Sequence, residues 1–227
     1  TLETALFLKI RGRYFGDRGQ FQKAIADLSR SVELNPRDSD APWHWLAPLL
    51  VYTGQLDAYR QLCRRILEQS ETTDPGIAER IAKDCLIIPS SEIDLKTVAR
   101  LADFAVNRDK AHRYYSWFQL VKATAEYRQG NFSTALAWLE KIPATVDGTA
   151  GAQVWGMKAM ALHQLGHAEK ALAALTHARE LAKTPLAELE TAKPPVAWND
   201  WITAKLWIAE AAELIERHPL AVENPSP

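Results

Sequence analysis

Four glycines recur in one local frame, and that frame restricts the architectures open to this chain more than any other feature. Gly19, Gly54, Gly130 and Gly166 are separated by 35, 76 and 36 residues, so the middle gap holds two periods of 38 and one unit without its glycine. Five residues after each glycine stand Ala24, Tyr59, Ala135 and Ala171, and seven before it stand Gly12, Ala47, Ala123 and Ala159. A period in the mid-thirties with small residues at fixed offsets predicts stacked helical hairpins. The glycine supplies a left-handed helix end at no steric cost. The two small residues then face each other across the hairpin and let its backbones approach. Larger apolar residues fill the other layers: Phe21, Leu56 and Phe132 two places after their glycines, and Leu28, Cys63, Leu139 and Leu175 nine places after. No hairpin of this size buries its apolar faces alone, so each needs a neighbour.

The spacing predicts an all-α, right-handed α-α superhelix of about five hairpins over residues 1–217, near 4–34, 41–69, 75–107, 111–142 and 150–183. Asp40 and Pro42 read as the restart of the second hairpin, and Pro48 falls inside its first helix. The third unit lacks the turn glycine and joins its helices through Pro89-Ser90-Ser91. A looser, proline-bearing stretch over 184–195 precedes a last helix, about 197–217, expected to cap the exposed face of the fifth hairpin. The proline-rich tail, 218–227, is expected to be disordered.

Composition narrows function. Lys and Arg total 27 against 28 Asp and Glu. That balance lacks the basic excess of a nucleic-acid binder, and no nucleic-acid partner is expected. No run approaches the roughly 18 apolar residues of a membrane span, so no membrane partner is expected either. Cys63 and Cys85 lie in apolar helical stretches and read as buried thiols of a reducing, cytoplasmic compartment. The chain opens with Thr-Leu-Glu, already helical in character, and reads as a piece of a longer protein.

The segments Gly12-x-x-Phe15, Gly19-x-Phe21-x-x-Ala24 and Pro36, together with Trp155, Ala159, Gly166, Ala171 and Ala178, resemble tetratricopeptide repeats. A narrower likeness rests on 74–88 (DPGIAERIAKDCLII), 123–140 (ATAEYRQGNFSTALAWLE), 159–168 (AMALHQLGHA) and 197–216 (AWNDWITAKLWIAEAAELIE). These together are similar to the C-terminal region of large serine/threonine kinases, and of WD40-containing relatives, in planctomycete-type bacteria. The resemblance implies a kinase or propeller domain upstream in such proteins. It does not make this chain a kinase, because His112-Arg113-Tyr114 is no catalytic-loop HRD and Asp103-Phe104-Ala105 lacks the DFG glycine.

In arrays of this type the first helices of the hairpins line a concave groove. Spacing from each glycine places Lys9, Arg13, Asp17, His44, Val51, Tyr52, Trp117, Leu120, Tyr127, Arg128, Gln153, Met160, His163 and Gln164 on it. Aromatic and Arg side chains among adaptable polar groups suit peptide capture. The candidate partner-binding set is Lys9, Arg13, His44, Tyr52, Trp117, Tyr127, Arg128, Gln153, His163 and Gln164. A chaperone-tail carboxylate clamp needs an Asn four residues after Lys9, where Arg13 stands instead. His163 and His167 straddle the helix-ending Gly166, and no further ligand completes a metal set, so no metal or cofactor is expected. No nucleophile–base arrangement stands out, and no catalytic residue is assigned. Trp43, Trp138 and Trp155 read as core, and Trp117 and Trp198 as partly exposed. The chain thus reads as a non-enzymatic interaction module holding a peptide or protein. Two alternatives are an arm packed on an upstream kinase or WD40 domain, and a self-assembling module in which the first or last helix pairs with another copy, the uncapped N-terminal face around Leu2, Leu6 and Ile10 being sticky.

Overall fold

A computed structural model describes residues 1–38, 41–68, 71–90, 92–143, 145–146 and 148–217. Eleven helices are found among them: α1 (Leu2–Gly16), α2 (Phe21–Leu34), α3 (Trp43–Tyr52), α4 (Leu56–Leu67), α5 (Pro75–Cys85), α6 (Leu95–Arg108), α7 (Tyr115–Arg128), α8 (Phe132–Glu140), α9 (Gly148–Gln164), α10 (Ala168–Leu189) and α11 (Trp198–Arg217). The first ten pack in consecutive pairs, and the pairs stack through α2 on α3, α4 on α5, α6 on α7 and α8 on α9. The fold is an all-helical repeat array of the tetratricopeptide type. The tail over 218–227 and the expected helix start at Asp40 lie outside the described residues.

The glycine frame works as its chemistry requires. Gly19, Gly54, Gly130 and Gly166 all have φ between 67° and 83°. One residue later the same bond closes each helix end: Gln20, Gln55, Asn131 and His167 donate their backbone N–H to the carbonyls of Phe15, Leu50, Glu126 and Leu162. This six-to-one closure satisfies a carbonyl that the helix leaves over. Ala24, Ala47, Ala123, Ala135, Ala159 and Ala171 are all fully buried. A Cβ on Gly12 would stand 2.8 Å from Leu28 Cγ, so α1 and α2 approach too closely there for any side chain.

The third unit ends its first helix differently. Asp74 caps the start of α5 by accepting from the backbone N–H groups of Gly76 and Ile77, with Pro75 in the first turn. At the other end no glycine reverses the chain, and the carbonyls of Asp84, Leu86 and Ile87 need other donors. Tyr59, the large residue at an alanine position of the frame, donates its hydroxyl to Asp84 O at 2.8 Å. Arg128 serves Leu86 and Ile87, and Trp207 serves Ile87. Side chains from three other helices thus do what one glycine does elsewhere.

Two elements differ from the sequence expectation. Helix α10 runs through Pro185 to Leu189, where a loose stretch was expected from 184. The proline forfeits one backbone bond, while fully buried Ala182 and nearly buried Leu189 hold the extra turns against the core. Helix α11 does cover α9 and α10, but it also packs on α3. It is therefore more than an end cap. Truncating fully buried Leu28 to Ala should cost about 2–5 kcal/mol in urea unfolding. The same change at exposed Leu172 should stay within about 0.5 kcal/mol.

Candidate functional site

The first helices of the five pairs, α1, α3, α5, α7 and α9, share one inner face, and α11 touches all of them. At its start, Trp198 donates from Nε1 to Asp17 Oδ1 at 2.9 Å and lays its ring on Phe21. A Cβ on Gly16 would fall 2.3 Å from that indole, so α1 ends in glycine where α11 crosses it. One turn on, Asp200 Oδ1 accepts from Lys83 Nζ of α5 at 2.5 Å, and its carbonyl accepts from Gln153 Nε2 of α9 at 2.9 Å. Farther along, Glu210 takes both arms of the Arg128 guanidinium, with Nη2 at 2.7 Å from Oε2. Between these anchors Trp201, Ile202, Trp207 and Ile208 are buried, as is Ala211 just beyond them.

The charges beneath α11 form one group. His44 Nδ1 lies 2.8 Å from Asp84 Oδ1, and its Nε2 lies 4.0 Å from Asp200. Burial opposes a charged imidazole, but Asp84 and then Asp200 outweigh it, and the His44 pKa rises above its ordinary value. Burial likewise works against the Asp200 carboxylate. Lys83 and His44 overcome it and hold Asp200 below the usual carboxylate range. Glu79, in the same group, is pushed up by burial against the pull of Lys83. Lys83 also stacks its ammonium over Trp117, 3.9 Å from the ring centre.

The residues proposed for the groove therefore divide. His44, Arg128 and Gln153 bond to α11 or to its ion group, Trp117 lies under Lys83, and Tyr52 faces the ammonium of Lys205 at 5.2 Å. Tyr127 is buried against Phe132, and His163 is buried. Lys9 and Arg13 have different partners. Lys9 is buried and paired with Asp38 at 2.8 Å, and Arg13 stacks on Trp45 at 5.1 Å. Trp198, read as partly exposed, is instead buried. At the α1 end of the inner face an open cleft of about 470 Å³ is lined by Leu6, Lys9, Ile10, Arg13, Tyr14, Asp17 and Trp45.

Lys83, Asp84, Asp200, Trp207 and Glu210 were not picked out from the sequence. A signal was present in α11, whose buried positions fall on nearly every side. A helix apolar all round is surrounded by protein and does not cap an end. Among the described residues no group of three or more His, Cys, Asp and Glu side chains is placed to hold a metal ion. No helix among them is long and apolar enough to cross a membrane.

A tetratricopeptide repeat family model matches residues 152–185, which lie in α9 and α10. No curated protein and no solved structure matches the chain. The matched hairpin, together with the helical pairs around it, supports a tetratricopeptide-type protein, and repeats of this type generally mediate protein–protein interaction.

Two tests follow from this geometry. Replacing Gly16 with Ala should drive the Trp198 ring from its seat, at about 1–3 kcal/mol for overpacking. Hydrogen exchange should then quicken over the first turns of α11 while α5–α8 keep their protection. The His44 contribution has a definite sign. Because its folded pKa exceeds the unfolded one, it is fully present below about pH 6.5 and lost as pH rises through the folded value. The melting-temperature gap between the parent and His44→Gln should therefore narrow from pH 6 to pH 9. A gap that widens over that range would show the opposite sign.

Proposed function

We propose that this chain is a protein-binding module that takes its partner at the α1 end of the array. One observation carries the reading. Helix α11 packs on α3 and α9 and is bonded to α5 and α7, whereas α1 presents Leu2, Leu6, Phe7, Ile10 and Tyr14 to solvent beside the open cleft. Five of the nine most exposed large apolar side chains among the described residues sit on this one helix, the others being Leu56, Tyr114, Leu172 and Val196. Contiguous apolar surface of that kind marks interaction sites. Arg13, stacked on Trp45 at the cleft, adds a cation to an aromatic floor. A kinase or propeller domain of the kind the resemblance implies is one candidate partner for this face.

A second reading keeps the middle of the groove as the binding site, with α11 displaced. It is favoured by two buried acceptors, Asp84 Oδ2 and Gln153 Oε1, which have no hydrogen-bond partner among the described residues. A ligand helix that brought donors to these atoms would make hydrogen bonds that α11 does not. Its contacts would then fall on His44, Tyr52, Trp117, Arg128 and Gln153.

Capture from lysate by the parent chain and by Leu6→Asp/Ile10→Asp separates the two. On the first reading, proteins held by the parent are lost with the variant, whose circular dichroism and melting temperature match the parent's. Equal capture by both chains, with faster hydrogen exchange in α11 when the captured protein binds, would replace the first reading by the second.

A further inference from the structure

The chain is close to neutral overall, but the loop that joins α6 to α7 is not. Residues 108–113 hold Arg108, Lys110 and Arg113 against Asp109 alone. All three cations are exposed, and none has a carboxylate partner among the described residues. The acidic groups close by in sequence are already engaged. Asp109 Oδ1 accepts the backbone N–H of Ala111 at 2.9 Å, and Asp103 on α6 is paired with Lys122 at 2.7 Å. Cations elsewhere, such as Lys9, Arg11, Lys83 and Arg128, each hold a carboxylate within the chain. The loop is also held in shape. His112 stacks on fully buried Phe118 with ring centres 4.9 Å apart, and its Nδ1 accepts the backbone N–H of Tyr114 at 3.2 Å. The backbone N–H of Tyr115 closes on His112 O at 2.9 Å. Arg113 lies over the Tyr114 ring, 4.5 Å from its centre, and Tyr114 is 42% exposed.

We propose that the α6–α7 loop is a second docking surface, separate from α1, for a short acidic segment of a partner protein. Carboxylates of that segment meet Arg108, Lys110 and Arg113, and an apolar residue beside them lies against the exposed ring of Tyr114. Charge complementarity names the occupant. Two guanidinium groups suit the fork of a carboxylate, and Arg and Tyr are the side chains that anchor protein interfaces. A loop already fixed by its own bonds loses little freedom on binding. A long polyanion fits less well. The chain's net charge is −1, and one loop of three cations matches only a few consecutive negative charges. Exposed ion pairs are individually weak and screened by salt, so the contact forms quickly, with modest affinity and strong salt dependence.

Fluorescence anisotropy of a labelled hexaglutamate peptide with one central Phe, titrated with the full chain, tests this. Saturable binding is expected at about 50 mM salt, weakening several-fold by about 300 mM. Arg108→Gln/Lys110→Gln/Arg113→Gln should bind about tenfold more weakly, with unchanged circular dichroism. Lys170→Gln/Lys183→Gln/Lys193→Gln removes three exposed cations from other elements and should bind as the parent does. Leu6→Asp/Ile10→Asp should also bind the peptide normally, which keeps this surface apart from the α1 face. Tyr114→Ala should weaken binding of this peptide but not of hexaglutamate without the Phe. A parent that does not bind the peptide at low salt overturns the proposal. So does equal weakening by the two lysine and arginine triple variants, which would make net charge the cause instead of the loop. Tighter binding of a thymidine oligonucleotide of equal charge, lost with the loop variant, would replace the peptide by nucleic acid. Indifference to Tyr114→Ala overturns the apolar part of the contact.

Discussion

The structure depends on α11 lying along the inner face, and its position there is fixed by charge placed where water is scarce. Lys83 and Arg128 have side chains only 3 and 4% exposed, and each finds its carboxylate on α11. A buried cation without its anion costs far more than an exposed one, so each pair also fixes where the helix must sit. A slide by one residue would separate both pairs at once. Trp198 and Trp207 reinforce that registration through directed N–H bonds to Asp17 and Ile87. Apolar burial by Ile202, Ile208 and Ala211 supplies attraction without register.

The array and its last helix also share a local problem. The third unit lacks the glycine that closes the other turns, and Arg128 and Trp207 bond the carbonyls left over at 86–87. Arg128 therefore serves two partners, the backbone of the irregular turn and Glu210 of α11. The irregular unit is the point at which the groove is joined to its occupant. Its departure from the repeat leaves acceptors that a regular turn would have bonded internally.

What the sequence revealed, and what it concealed, follows from range. The four regular turns were legible because each is settled within a few residues, by a glycine and the closure one position later. The pairing of helices was legible because Gly12, Ala24, Ala123 and Ala135 recur at fixed offsets. Even the extension of α10 past Pro185 turned on distant packing of Leu189, which local signals do not carry. The seat of α11 was hidden for the same reason. Its anchors join residues 82 apart for Arg128 and Glu210, 117 for Lys83 and Asp200, and 181 for Asp17 and Trp198. His44, Arg128 and Gln153, placed on one groove by their spacing, are found bonded to α11 or to the ion group beneath it. That this surface already carries a helix of the same chain had no local trace beyond the unusually broad apolar girth of α11.

A plain stack of hairpins can fray from either end, since each unit knows only its neighbours. The bond from Trp198 to Asp17 changes that, because the last helix is fastened to the first while it also lies on α9 and α10. Loss of the outer hairpins and loss of α11 become one event, and melting is shared by the whole array. Synthesis makes the same feature a matter of timing. The chain emerges from its N-terminus, so all five inner helices exist before their clasp does. Until α11 has been made, Lys83 and Arg128 lack the carboxylates with which they pair in the complete fold. The newborn protein and the finished one therefore show different surfaces to their surroundings.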